Sequence, residues 1–543
     1  MRLPLLIVPA VMATSLAAQV PMSAPAMTSR DSALHVLNRL AYGPRPGEVD
    51  SVARFGVMRW IERQLNPDRI DDKSLEQREH QFKILEYNRE DLARRYRDAQ
   101  RERQRMQREL GATADSVRPD NLPKPMREFR ELGGELQQLA VVRSSLSERQ
   151  LREIMVDFWI NHFNVFVGKG ADRFLLPSYI EQTIRPRVLG RFEDLLIATA
   201  ESPAMLFYLD NAQSVAPGSS PPRAFRPFRP MFGPFFGRPR FGQNEMPEER
   251  RRRLAAKGTG INENYARELL ELHTLGVDGG YTQQDIIEVA RIFTGWSIEP
   301  PDRGAGFVFR DWAHDHGTKH VFGLTFRDDG QDEGIRLLKF LAMQPATMHH
   351  VSAKLCARFV ADDPPAGCID AAVGAWQKTR GDMRAVLHAI FTAPDFWAPQ
   401  VVRSKVKTPF EFVVSAVRAI SADPDTSPRL AQMVARLGEP LYQQPAPTGY
   451  AETEEHWVNS GALLARMNAA VALARGESLD AVIPVTTDHS QLVDLVNDRI
   501  LGGTMSAHTR GVILDQLTDI ADPVQARALA VGLALGGPEF QKQ

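Results

Sequence analysis

The chain has 543 residues, 43% of them hydrophobic, 24% charged and 8% aromatic, which excludes a disordered or fibrous protein and supplies at least one large core. Lys and Arg number 66 against 67 Asp and Glu, a formal net charge of -1, so the surface is not built throughout for nucleic acid or an anionic membrane. Two cysteines exclude a disulfide-dense scaffold, a Cys-rich zinc module and an iron–sulfur protein.

Arg2 is followed by a short apolar run, Leu3-Pro4-Leu5-Leu6-Ile7-Val8-Pro9-Ala10-Val11-Met12, and then by Ser15, Ala17 and Ala18. This order of charge, apolar stretch and small residues predicts a secretory signal peptide over 1–18 and export to the periplasm or the extracellular space. A short buried N-terminal helix is the competing reading. No later stretch is apolar enough to predict a membrane span in the mature chain. Residues 19–31 read as a flexible segment, and 32–213 as a helical region. Within it Leu34, Leu37, Leu40 and Ala41 recur at helical spacing up to Gly43-Pro44, and further helices are predicted over 46–55 and 57–65. Arg, Glu and Gln crowd 74–110, predicting one or two long solvated helices with i,i+4 charge pairs; the apolar positions hold no a/d register for a coiled coil. Further on, Ile154, Phe158 and His162 share one helical stripe. His162 should therefore point inward, as a hydrogen-bonded core histidine or, if another helix lies alongside, as a ligand or general base.

Between 214 and 247 the composition turns to Pro, Phe, Gly and Arg, predicting a long loop. Arginine interleaved with phenylalanine can stack on single-stranded nucleic acid, but a surface insertion is the simpler reading, and nucleic acid ranks last among the partners of a near-neutral chain. The region 248–400 opens with Asn262 through Gly276. On a regular helix Asn264, Glu268 and Glu271 share a face, able to offer two carboxylates to a metal or to split acid and base roles. Arg267, four residues before Glu271, can neutralise it instead. His273 falls near the opposite side, so Glu271 and His273 should not chelate one ion unless the helix unwinds there. Gly276 reads as the C′ residue, which places His273 in the last turn, where a cation suits the dipole.

Thr282 and Asp285 form a capping box. Residues 307–309 and 321–326 are expected to pair as a small hairpin around a loop carrying His314, Asp315, His316 and His320, with Gly317 at its bend. These side chains can supply nitrogen and oxygen ligands, although their spacing matches no specific zinc motif; an ordinary polar loop is the alternative. Cys356 and Cys368 are a candidate disulfide in an oxidising compartment, and two buried thiols fit equally well. Helices are predicted over 334–343, 346–359, 383–392 and 410–422, and in the C-terminal region, 401–543, over 460–475 and 490–500. The expected fold is predominantly α, a large multi-helix globular architecture with long loops and at most a small β-hairpin. No Gly-x-Ser-x-Gly elbow, His-Glu-x-x-His or phosphate-binding loop is present.

The stretches Leu37-Asn38-Arg39-Leu40-Ala41-Tyr42-Gly43-Pro44, Phe158-Trp159-Ile160-Asn161-His162-Phe163, Asn262 through Gly276, Gly280-Tyr281-Thr282, Phe293-Thr294-Gly295-Trp296, His314-Asp315, Lys405-Val406-Lys407-Thr408-Pro409 and Ser460-Gly461-Ala462-Leu463-Leu464 recur in this order. In these the chain resembles a bacterial family known as domain of unknown function 1800. The arginine-rich helix near 100 and the 214–247 loop look like insertions relative to its pattern. The resemblance implies export, and as a partner another exported protein resembling sulfatases and alkaline phosphatases, whose genes often neighbour those of the family. It implies no established reaction.

The functional expectation is a hydrolase-like enzyme that activates water on an extracytoplasmic substrate. His162, Asn264, Arg267, Glu268 and Glu271 are its candidate catalytic residues, and His162, Glu268, His314 and Asp315 its candidate metal ligands. The cofactor is unknown, with a divalent metal ion as the candidate. The alternative is a non-catalytic exported helical scaffold that binds a partner protein or cell-envelope polymer, in which Arg267, Glu268 and Glu271 form a buried polar network.

Overall fold

Helix starts are set by side chains that satisfy the free N–H groups of the first turn. Thr28, Thr282 and Thr408 each accept from the backbone three residues on, and Asp31, Asp285 and Glu411 reach back to complete capping boxes. The computed structural model describes residues 27–111, 117–219, 260–476 and 478–543. The predicted signal peptide, the segment up to residue 26 and residues 220–247 of the predicted loop lie outside them.

The described residues form 24 α-helices and two small antiparallel sheets, so the fold is predominantly α. The N-terminal region contains α1 (Ser29–Leu40), α2 (Glu48–Phe55), α3 (Val57–Leu65), α4 (Lys73–Glu79), α5 (Arg89–Leu110), α6 (Lys124–Leu146), α7 (Gln150–His162), α8 (Asp172–Ser178), α9 (Phe192–Ala200) and α10 (Pro203–Tyr208). The central region carries α11 (Glu263–Glu268), α12 (Gln283–Ile292), strands β1 (Trp296–Ile298), β2 (Phe307–Phe309), β3 (Lys319–Val321) and β4 (Leu324–Phe326), then α13 (Gln331–Ala342), α14 (Pro345–Phe359), α15 (Ala366–Thr379) and α16 (Met383–Thr392). The C-terminal region adds α17 (Pro409–Ala419), α18 (Arg429–Arg436), α19 (Glu454–Trp457), α20 (Ser460–Gly476), α21 (His489–Arg499), α22 (Ala507–Leu517), α23 (Pro523–Gly536) and α24 (Pro538–Gln541). One hydrophobic cluster draws buried side chains from all three, from Ala33 through Phe293 to Phe540. Among the described residues no helix is long and apolar enough to cross a membrane.

Two expectations change. The helix over Arg89–Leu110 is not solvated all round: Leu92, Ala93, Tyr96 and Ala99 are buried on one face, where the Tyr96 ring packs at 5.1 Å from Phe129 and 5.6 Å from Phe174. The charge-rich composition hid a narrow apolar stripe at i, i+4 and i+7. The strands also pair differently. β2 pairs with β1, aligning Trp296 with Phe309, and residues 319–326 fold on themselves as β3 and β4. Phe322 and Gly323, at φ +50° and +76°, make the two-residue turn whose twist favours this tight hairpin over the longer connection.

Candidate functional site

Helices α7 and α14 each carry polar residues at i, i+4 and i+8, which places them along one face: Glu153, Asp157 and Asn161 on the first, His350, Lys354 and Arg358 on the second. Packing brings these stripes together into one polar seam, with histidines at one end and carboxyl groups at the other.

At the histidine end, His162 is 2% exposed and its ring lies 6.3 Å from those of both His273 and His350. His162 Nε2 donates to the His273 carbonyl at 3.2 Å, and His350 Nε2 donates to the Leu272 carbonyl at 3.3 Å. A carbonyl only accepts, so Nε2 carries the proton in each ring and Nδ1 of His162 is left as a buried acceptor without a partner among the described residues. Burial, then the nearby Lys354 charge, holds His162 well below its ordinary pKa, and the same causes lower His273 to about 3. Lys354 is itself pulled down by burial, against the opposing charge of Glu452.

These contacts depend on a change of helix type. After α11 the chain continues as a π-helix over Leu269–Thr274, in which Thr274 Oγ1 donates to the Leu269 carbonyl at 2.6 Å. The wider turn rotates the following residues, so the single 3.6-period face expected for Asn264, Glu268 and Glu271 does not persist, and His273 turns inward. The expected His273 cation is therefore corrected: the ring is buried and neutral. Gly276 ends the segment at φ +85°, as expected of a C′ residue, and a Cβ there would lie 3.0 Å from His350 Nδ1.

At the carboxyl end, a cavity of about 40 Å³ is lined by Asp157, Arg358, Glu411, Glu439 and Glu452. Arg358 is ion-paired with Glu411 and lies 3.9 Å from Glu452. Glu411 also accepts from the Thr408 N–H and from Gln543 Nε2, each at 2.9 Å. Burial opposes its charge, but Arg358, Gln543 and Thr408 outweigh that and keep its carboxyl below the usual range. Asp157 differs. No hydrogen bond contributes to its state, and burial, reinforced by Glu452 and Glu411 against Arg358, raises it to about 7. Glu439 accepts from the Phe410 N–H at 2.8 Å, yet burial and Asp157 raise it to about 8. Asn161 closes the rim by donating to the Tyr450 carbonyl at 2.9 Å and to Glu452 at 3.3 Å. Gly449, at φ +74°, allows that approach: a Cβ would sit 2.4 Å from the Asn161 carbonyl oxygen. One cavity thus holds two carboxyls whose pKa is raised to about 7 and about 8 and one whose pKa is lowered, the division that separates acid from base roles.

The residues expected from the sequence are distributed differently. His162 lies in the seam. Asn264 is exposed and donates weakly to the Leu209 carbonyl at 3.4 Å. Arg267 turns to Glu263 at 3.7 Å and Gln283 at 3.1 Å rather than to Glu271. Glu268 and Glu271 are half-buried, and burial followed by the Glu271 charge raises the Glu268 carboxyl. His314 belongs to a separate centre, donating from Nδ1 to the Thr294 carbonyl at 2.9 Å beside the Lys319–Glu333 pair. Asp315 there takes both arms of Arg291, at 2.9 and 3.1 Å. Among the described residues no three His, Cys, Asp or Glu side chains are placed to hold a metal ion, so His162, Glu268, His314 and Asp315 are not gathered into one ligand set. Asp157, His350, Lys354, Arg358, Glu411, Glu439 and Glu452 were missed. The i, i+4, i+8 stripes were a readable signal for four of them, whereas Glu411 was concealed as the end of a capping box.

Cys356 and Cys368 form a disulfide, which resolves the alternative left open by the sequence. No curated protein and no solved structure matches the chain. A family described as "Protein of unknown function (DUF1800)" matches residues 35–542. With nearly its whole length covered by that match, the chain belongs to the DUF1800 family.

Proposed function

We propose that the protein is an exported, hydrolase-like enzyme that works by acid–base catalysis on an extracytoplasmic substrate, with its site in the seam between α7 and α14. The observation that carries this reading is the grouping of Asp157, Glu439, Glu411 and Arg358 around one cavity. A structural network would join its charges directly. Here Asp157 faces the cavity without a described hydrogen-bond donor, and desolvation keeps its proton at a pH where a free aspartate has lost it. In this role Asp157 donates its proton to the leaving group as the bond to it breaks, and a water molecule supplies the hydroxyl to the other fragment and the proton that restores Asp157. Glu439 holds a second proton in reserve, and the Arg358–Glu411 pair fixes the charge around them. The signal-peptide pattern and the disulfide support export to an oxidising compartment.

The fully buried Arg358–Glu411 pair favours a second reading, a non-catalytic scaffold whose polar seam fixes helix packing. Asp157→Asn and Glu439→Gln separate the two. Both replace a protonated carboxyl by a neutral group of the same shape, so both variants should stay folded. A panel of chromogenic esters, glycosides and amides should yield at least one substrate that the parent protein turns over, with the rate falling about 100-fold or more in Asp157→Asn. Turnover retained by Asp157→Asn, or no turnover across the panel, transfers the weight to the scaffold.

A further inference from the structure

A groove of about 1170 Å³ runs between α5, α6 and the segment around Gln443, larger than the cavities that usually enclose a small molecule. Arg103, Arg127, Arg130 and Arg173 line it together with Asp120, Glu131 and Glu135, so neither sign of charge dominates by more than one. Gln432 and Gln443 add carboxamides, each able to donate and accept, and the half-buried Phe166 ring adds a flat apolar face. The described wall is built from helices and loops and offers no free strand edge on which a peptide backbone would pair. Balanced charge, paired donors and acceptors and a ring face suit a chain rich in hydroxyl groups.

Tyr442 lines this groove and also both small inner cavities, the one of about 40 Å³ and another of about 30 Å³, while Asp157 lines only the inner two. Tyr442 therefore stands between the open groove and the carboxyl groups. Its backbone is at φ +63°, a conformation that a bulky residue rarely adopts, and its carbonyl is held by the Val167 N–H at 3.0 Å. We infer that the groove is the substrate cleft of the acid–base site, that its occupant is an extended oligosaccharide, and that movement of the Tyr442 side chain is the gate that joins the cleft to Asp157. This rests on the acid–base reading above and adds the substrate class and the route of entry.

Two measurements test it, and neither needs turnover. Cellohexaose, chitohexaose and a Gly/Ser/Gln hexapeptide are titrated into the full-length Asp157→Asn protein by calorimetry. At least one sugar should bind, and Arg130→Ala should weaken it about tenfold, or about 1.4 kcal/mol, without lowering Tm. Phe166→Ala, whose ring also packs on the core, should weaken it as much at a temperature where the variant is folded. Binding of neither sugar, binding indifferent to both groove variants, or binding of the peptide instead overturns the oligosaccharide cleft; if Asp157-dependent turnover of another substrate is found, the acid–base reading survives that failure. For the gate, Tyr442→Gly suits the backbone and removes the barrier, and Tyr442→Asn, which also tolerates positive φ, serves if glycine loosens the loop. Carbon-13 titration of Asp157 should then move toward the ordinary carboxylate range as water enters, and a titration unchanged in the folded variant overturns the gate.

Discussion

At Lys319 and Glu333 two opposite charges are withdrawn from water and joined at 2.7 Å, whereas at Asp157 a carboxyl is withdrawn from water and left facing a cavity. Both Lys319 and Glu333 are 0% exposed, and their remaining capacity is taken up by His314 and the Asp315 carbonyl. Such a centre has no capacity left to act on another molecule, and its worth lies in fixing β3 against α13. Asp157 has the reverse profile. The residue is half-buried along the cavity wall, and desolvation of its carboxyl outweighs the pull of Arg358 and raises it to about 7. Buried charge alone does not mark a functional site; the discriminating feature is whether the geometry leaves a polar group unspent.

The largest test of this contrast is Glu333→Ala. It leaves the Lys319 ammonium buried without its partner, and about 3–5 kcal/mol of stability should be lost in urea unfolding. A much smaller loss would mean that the pair is as dispensable as a surface bridge and would undo the contrast from the structural side. Next in size is the disulfide. Cys356 sits on α14 between Lys354 and Arg358, so its bond to Cys368 anchors that stripe. The paired Cys356→Ser and Cys368→Ser change should cost about 3 kcal/mol, the expectation for a short closed loop. In the reading proposed for the seam, the same change should also lower activity by loosening Arg358, and activity at full parental level would separate the stripe from the site.

Asp157→Asn should differ in sign. A carboxyl whose folded pKa is raised stabilises the protein below its unfolded pKa and loses that contribution as pH rises through the folded value. For Asp157 the window runs from about 4 to about 7, and for Glu439 from about 4.5 to about 8. His162, His273 and His350, all lowered, act oppositely: their contribution is present above about 6.5 and is lost as pH falls. Between pH 6.5 and 8 the unfolded histidines complete the second half of their titration, but they contribute equally to parent and variant, so the parent protein should lose more stability there than Asp157→Asn does. Chemical unfolding at pH 6.5 and 8 checks the slope. Equal slopes in parent and variant would mean that Asp157 is ionised in the fold and that its profile is no different from that of Glu333.

How far the sequence disclosed this arrangement follows from the range of each interaction. Helices such as Val57–Leu65 and Met383–Thr392 were read to the residue because their periodicity and caps are local. The inward turn of His162 was equally legible from Ile154 and Phe158 on its stripe. The π-helix over Leu269–Thr274 was not, since i→i+5 bonding leaves no compositional mark, and that one extra residue per turn displaced the face built on Glu268 and Glu271. The pairing of residues 319–326 was missed because 321–326 reads as one continuous strand, whereas Phe322 and Gly323 form a turn inside it. Asp157 and Arg358 stood at helical spacing in plain view. Only tertiary packing decides that these two stripes, rather than those of α5 or α11, meet each other, and no local pattern encodes that choice.

The smallest effects are expected where the sequence pointed most strongly. Arg267 is substantially exposed and its pair with Glu263 is 3.7 Å long, so Arg267→Ala should change stability by no more than about 0.5 kcal/mol. Glu268→Gln should be neutral or slightly stabilising at pH 7, because burial and the neighbouring Glu271 both work against its charge. Turnover by both variants should stay within about twofold of the parent if the seam holds the chemistry, a difference of less than about 0.5 kcal/mol in activation free energy. A loss of activity in Glu268→Gln as deep as that in Asp157→Asn would return the site to the α11 face. The cavity around Asp157 would then be a packing defect filled by water, and the contrast between spent and unspent charge would have to be redrawn around Glu268 and Glu271.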